Sequence, residues 1–157
     1  LGDGPEEVRR SLARMIAARA PGVARLAGPV ANGAVQQEFN AAAAFVLVSR
    51  AESFGMVFAE SLLAGTPCLY PRGQAIGGYF REGDFTLSAD PRDTRAIAAA
   101  MLRMVREQGE MKARLADAQG SGALDFLRQE DIGARYRGGL ADALQNQSTE
   151  VRQYLTL

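Results

Sequence analysis

Two carboxylates stand eight residues apart in this chain, Glu52 in a turn and Glu60 on the apolar segment that the turn opens. Residues 56–64 are apolar apart from Glu60 and Ser61, which predicts a helix buried in the domain rather than lying on its surface. An ionised carboxylate on such a helix is costly unless hydrogen-bond donors reach it, and the adjacent hydroxyls of a ribose would be suitable donors. Ahead of it, Phe54-Gly55-Met56 offers unpaired backbone N–H groups at a helix N-terminus, a place for phosphate or hydroxyl oxygens. Together these features predict a nucleotide-sugar site. Plainer readings stand beside this one. An acid early in a helix is favoured by the macrodipole by ~0.3–1 kcal/mol, and Glu52 could be a solvated loop acid. Gly55 could serve an ordinary turn. Phe54 is expected to plug the core with its ring while its backbone serves the site.

The elements that must hold these residues follow from the periodicity. Pro5, with Glu6 and Glu7 behind it, suits the first turn of a helix that runs to about Ala20 and stops at Pro21-Gly22. Val23 to Ala27 reads as a strand, and Asn32 can cap a helix across Val35, Phe39 and Ala43. Ala44-Phe45-Val46-Leu47-Val48 is a continuous apolar run, as expected of a strand covered on both faces. The helix from Met56 should end at Gly65, because Thr66-Pro67 prevents its continuation. Strands are expected at Cys68–Tyr70 and Phe85–Ser88, then helices over about 93–107, 110–127 and 131–145.

Strand–helix alternation up to residue 90 predicts an α/β fold with right-handed crossovers and a doubly wound parallel sheet. Ligands in such sheets bind beyond the carboxyl ends of the strands. The turns at Gly2–Pro5, Gly28–Val30, Ser49–Gly55 and Pro71–Glu82 are therefore expected to share one edge. Residues 146–157 are polar and aperiodic and read as a tail, which leaves 1–145 as one domain.

Composition narrows the function classes. The 157 residues suffice for one domain with a proper core, and 47% hydrophobic with 23% charged residues is ordinary for a soluble globular protein. Eighteen basic residues balance 18 acidic ones, so no electrostatic footprint argues for nucleic acid. No apolar run approaches the ~20 residues of a transmembrane segment. Cys68 is the single cysteine and histidine is absent, which rules out an internal disulfide framework and argues against a zinc site or a histidine-based triad. Cys68 itself reads as a small core residue. The chain begins with Leu1, not Met, at what looks like a strand end, as expected of a piece of a longer protein.

The pattern Glu-x7-Glu around Phe-Gly-hydrophobic, followed by Ala64-Gly65-Thr66-Pro67, resembles the donor-binding half of GT-B glycosyltransferases, most closely glycosyltransferase family 4. Leu1-Gly2-Asp3-Gly4-Pro5 is similar to the family's strand-end Gly-Asp-Gly-Pro, and Leu26-Ala27-Gly28-Pro29-Val30 to its Gly-x-Val nucleotide loop. Asn40 to Ser49 and Asp90-Pro91 extend the resemblance in order over roughly residues 1–140. It implies the Rossmann-like half of a GT-B fold with extra C-terminal helices. It also implies a retaining enzyme that takes a sugar from a nucleotide diphosphate donor, without a metal or other cofactor. The acceptor, a glycan or lipid, would be held by an N-terminal domain missing here, so this chain alone would be inactive. The implied setting is cytoplasmic, at most peripheral to the inner membrane, in bacterial polysaccharide or glycolipid assembly. A degenerate nucleotide-binding module, or another GT-B-like enzyme such as a nucleotide-sugar epimerase, is the alternative.

By the same resemblance, Glu52 lies beside the transferred sugar and Glu60 on the ribose hydroxyls. Phe54, Gly55, Met56 and Val57 line the donor, Val30 lies near the base, and Gly28 and Gly2 are close-approach or turn glycines. Two departures stand out. The family's diphosphate-clamping Arg and Lys lie upstream of Leu1, and Arg9, Arg10 and Arg14 do not match them; Arg50 reads as a solvated loop residue. The loop that is usually Gly-Gly-Ile-Pro-Glu aligns with Gln74-Ala75-Ile76-Gly77-Gly78, where Gly78 replaces the glutamate.

Overall fold

The computed structural model describes residues 5–128. They fall into two compact units that divide between Glu38 and Phe39. Gly2, the expected helix over 131–145 and the expected tail at 146–157 lie outside the described residues.

In the first unit, α1 (Glu6–Arg19) starts as the sequence dictates. Pro5 precedes it, and Glu6 and Glu7 occupy the first turn. Arg9 and Arg10 reach back to Glu6 at 3.8 and 3.5 Å, exposed pairs worth a few tenths of a kcal/mol at most. The expected strand at Val23–Ala27 does not form. A strand needs a ladder partner for its backbone, and none exists among the described residues of this unit. Instead the N–H groups of Val23 and Ala24 close turns on the Ala20 carbonyl, and Val23 is 88% exposed. Helix α2 spans Asn32–Ala41 and runs across the division between the units.

The second unit carries a parallel sheet in the order β1 (Phe45–Val46), β2 (Cys68–Pro71) and β3 (Thr86–Ala89). Phe45 pairs with Cys68, and Cys68 in turn with Thr86. Helix α3 (Met56–Leu63) crosses over from β1 to β2, and α4 (Thr94–Arg106) and α5 (Gln108–Gly120) follow β3. Side chains alternate along the strands, so both sheet faces are covered, as the apolar runs require. On one face Cys68 and Tyr70 pack with Phe58 and Leu62 of α3 and Leu115 of α5; on the other Leu69, Leu87 and Ala89 pack with Met104 of α4 and Met111 of α5. Residues 44–48 are half-buried rather than fully covered, because β1 has no further strand beside it among the described residues.

The later helices begin and end for local reasons. Asp93 caps α4, its Oδ1 accepting from the N–H groups of Arg95 and Ala96 at 3.0 and 2.9 Å. Helix α5 ends at Gly120, short of the expected residue 127, and the chain turns through Gly122 at φ +76° into a 3₁₀ turn over Asp125–Leu127.

Candidate functional site

The site begins where β1 ends. Its loop, residues 49–55, enters α3 through Gly55 at φ +69°, a left-handed conformation that side-chain-bearing residues rarely adopt. A Cβ there would lie 2.5 Å from Phe58 Cδ2 and 3.3 Å from Glu52 Cγ. The glycine is thus required by its own helix: the Phe58 ring and the Glu52 stem close around it. Because Gly55 has no side chain, the first turn of α3 carries no side-chain cap, although the Phe58 N–H is taken by the Gly55 carbonyl at 2.9 Å. The N-terminal N–H groups of Met56 and Val57 are therefore available to an oxygen-rich ligand.

Glu52 is half-buried, and its carboxylate accepts from the Ser53 N–H at 3.1 Å and the Ser49 hydroxyl at 3.5 Å. Its backbone N–H donates to Gln74 Oε1 at 2.7 Å, and Gln74 Nε2 reaches the Arg50 carbonyl at 3.4 Å. One side chain from the loop after β2 thereby fixes the loop after β1. That loop is itself anchored by buried Ile76 and turns through Ala75 at φ +52° and Gly78 at φ +87°. Phe54 packs its ring against the core beside Tyr79, edge to face at 5.6 Å, as expected.

Glu60 corrects the sequence reading. It is exposed, as is Met56 one turn earlier, whereas Phe58, Ala59, Ser61 and Leu62 are buried. Helix α3 is apolar in composition, yet its phase turns Met56 and Glu60 outward together, so the carboxylate bears no burial cost. No hydrogen bond or ion pair engages the Glu60 carboxylate among the described residues, which leaves both of its oxygens open to a ligand. Val57 is half-buried against the core. The structure thus gathers Glu52, Phe54, Gly55, Met56, Val57 and Glu60 around one helix start. Gly28 and Val30 belong to the first unit. Gly28 holds φ +75° with open space where a Cβ would be, so conformation rather than crowding explains it, and Val30 is half-buried.

Helix α3 is fixed at its far end too. Gln119 of α5 donates Nε2 to the carbonyls of Leu62 and Leu63 at 2.8 and 3.1 Å, adding to the Gly65 N–H that Leu62 already accepts. The Thr66 hydroxyl donates to the Phe39 carbonyl. Inside the helix, the buried Ser61 hydroxyl donates to the Phe58 carbonyl at 2.9 Å.

Neither Gln74 nor Gln119 carried a sequence signal, since a lone glutamine fits any polar position. A third feature could have been noticed: Arg50, Arg72 and Arg92 each follow the end of a strand. With Gln74, Asp90 and Pro91 they line a cleft of about 230 Å³ at the carboxyl edge of the sheet.

A family model of the glycosyl transferases group 1 matches residues 1–107. The chain belongs to that family. It is 25% identical over 101 residues to the N-acetyl-α-D-glucosaminyl L-malate synthase of Bacillus anthracis, an alignment that takes in 64% of this chain and 26% of that protein. Among solved structures, Anabaena HepE in complex with UDP superposes with a TM-score of 0.74 at 16% identity over 87% of this chain and 37% of that one. Sucrose-phosphate synthase from Thermosynechococcus elongatus gives 0.69 at 18% identity over 93% and 37%. This group 1 glycosyltransferase domain therefore has the Rossmann-like α/β fold of a GT-B half. It spans 26–37% of the length of these relatives. Among its described residues no helix is long and apolar enough to cross a membrane.

Proposed function

We propose that this domain is the donor-binding half of a retaining glycosyltransferase. It would hold a nucleotide diphosphate sugar while an N-terminal domain presents a glycan or lipid acceptor, in a cytoplasmic setting. Residues 1–145 form the donor domain in this reading. The observation that carries it is the arrangement around α3: an uncapped helix start, Glu52 fixed beside it, and Glu60 with both oxygens unengaged one turn on. Family membership and the UDP held by the structural relative HepE support the same reading.

In this scheme the first-turn N–H groups of α3 face the donor phosphates and Glu60 accepts from the ribose hydroxyls. Val57 and Met56 line the nucleotide, with Val30, Gly28 and Gly2 contributed from the earlier segment. Glu52 orients a hydroxyl of the sugar and stabilises positive charge that grows at the anomeric carbon. The leaving phosphate accepts the acceptor's proton on the same face. Catalysis is then positioning and electrostatics, which carboxylates and fixed N–H dipoles supply without a nucleophile.

Calorimetry of UDP and its 2′-deoxy analogue against the wild-type chain and Glu60→Gln tests the donor site. Glu60→Gln should weaken UDP and cost the 2′-deoxy analogue less. Equal losses would remove the ribose contact, and absence of UDP binding to the wild type would sink the reading. A second reading, a nucleotide-binding module without transfer activity, rests on Gly78, which replaces the glutamate of the resembling family motif and, at φ +87°, would strain a side chain.

A further inference from the structure

Three successive strands each deliver an arginine to the same edge. Arg50 follows β1 by four residues, Arg72 follows β2 directly, and Arg92 lies three residues past β3. Their side chains line one cleft with Gln74, Asp90 and Pro91. Three arginines and a single acid are among its lining residues, although the whole chain has zero net charge. None of the three is in an ion pair among the described residues. Asp90 Oδ1 already accepts the Arg92 N–H at 2.8 Å, so the one acid is engaged by backbone. The nearby start of α4 is closed by Asp93, and an anion in the cleft would be held by side chains instead. Such a concentration of unpaired guanidinium is unfavourable in itself and suits a multiply charged oxyanion, which arginine binds through parallel hydrogen bonds.

The lining includes none of Glu52, Phe54, Gly55, Met56, Val57 or Glu60, and about 230 Å³ is small for a nucleotide. We propose that this cleft is a phosphate site held by Arg50, Arg72 and Arg92, separate from the nucleotide site, and that it takes the phosphate group of a second molecule. Gln74 is the wall between the two, since it lines the cleft and holds the Glu52 loop.

Calorimetric titration of inorganic phosphate into the 157-residue chain tests this without any nucleotide. The wild type should bind phosphate, and more weakly as sodium chloride is raised. The double variant Arg72→Ala/Arg92→Ala should lose at least tenfold in affinity while retaining its circular dichroism and melting transition. Arg106→Ala, which removes a positive charge at the far end of α4, should bind as the wild type does. Phosphate should still bind when UDP is saturating. No phosphate binding, an equal loss in Arg106→Ala, or full competition by UDP would each overturn the proposal. Failure of UDP to bind would count against the donor reading above and leave the phosphate result standing.

Discussion

Gln74 Oε1 accepts the backbone N–H of Glu52 at 2.7 Å, across 22 residues of sequence. The position of the candidate sugar-facing carboxylate is thus set by a side chain from the neighbouring strand's loop. A hydrogen bond of this kind contributes about 1 kcal/mol net, equivalent to roughly fivefold in a local opening equilibrium. Gln74→Leu should speed hydrogen exchange of the Glu52 amide by about that factor, whereas Gln74→Glu, which keeps an acceptor oxygen, should retain most of the protection. Unchanged exchange in Gln74→Leu would show that the loop holds itself.

Gly55 is pinned by conformation and by crowding at once. Gly55→Ala should destabilise the domain by about 2–5 kcal/mol, the sum of a left-handed alanine and a clash with the Phe58 ring. Phe58→Leu placed in the same chain should make the alanine less costly than it is alone. A urea-denaturation cycle over the four proteins measures that coupling; strict additivity would mean that the ring is not the obstacle.

Burial drives the Cys68 thiol well above its ordinary 9.0, against a small opposing effect of a hydrogen bond with Ser61. The folded thiol stays protonated where the unfolded one ionises, so the unfolded state binds fewer protons at alkaline pH. Stability from this group is complete below about pH 8.5 and is lost as pH rises, at up to about 1.4 kcal/mol per unit. Tyr70 adds to the trend, since burial and the charge of Glu82 raise its phenol. Urea midpoints from pH 7 to 11 should fall above pH 9, and the decline should be shallower, though still present, in Cys68→Ala. Native Cys68 should also resist thiol reagents until the chain unfolds.

On the proposed donor reading, the two glutamates should separate kinetically in the full-length protein. Interactions that strengthen only in the transition state appear in kcat, and uniform binding appears in KM. Glu52→Gln should lower kcat with little change in donor KM, while Glu60→Gln should chiefly raise donor KM. Because Glu60 is exposed, its variant should fold as the wild type does, and circular dichroism checks this. The reverse pattern would exchange the two roles.

Much of this fold is legible in the residues. The apolar runs at 44–48 and 68–70, Pro5 with its two glutamates, and Gly65-Thr66-Pro67 give elements within a few residues of those observed. What the sequence hides is pairing and phase. Val23–Ala27 has strand-forming residues but no ladder partner in its unit among the described residues, and propensity alone does not hold a strand. Glu60 sits in an apolar segment, yet composition does not say which side of a short helix faces out. Gln74 matters through one distance, 2.7 Å, that no pattern encodes. Arg50 and Arg72 fall in turns that the sequence places on one edge, but only the sheet shows that they line one cleft with Arg92.

The cap that Gln119 places on α3 lies 57 residues downstream of the carbonyl it bonds. A ribosome adding about 5–20 residues per second needs roughly 3–11 seconds to cover that distance. For that interval the helix that carries Glu60 has been synthesised without the donor that reaches its end. The candidate binding helix is therefore completed late in synthesis, and a nascent chain stopped before Gln119 would carry both glutamates without the last restraint on their helix.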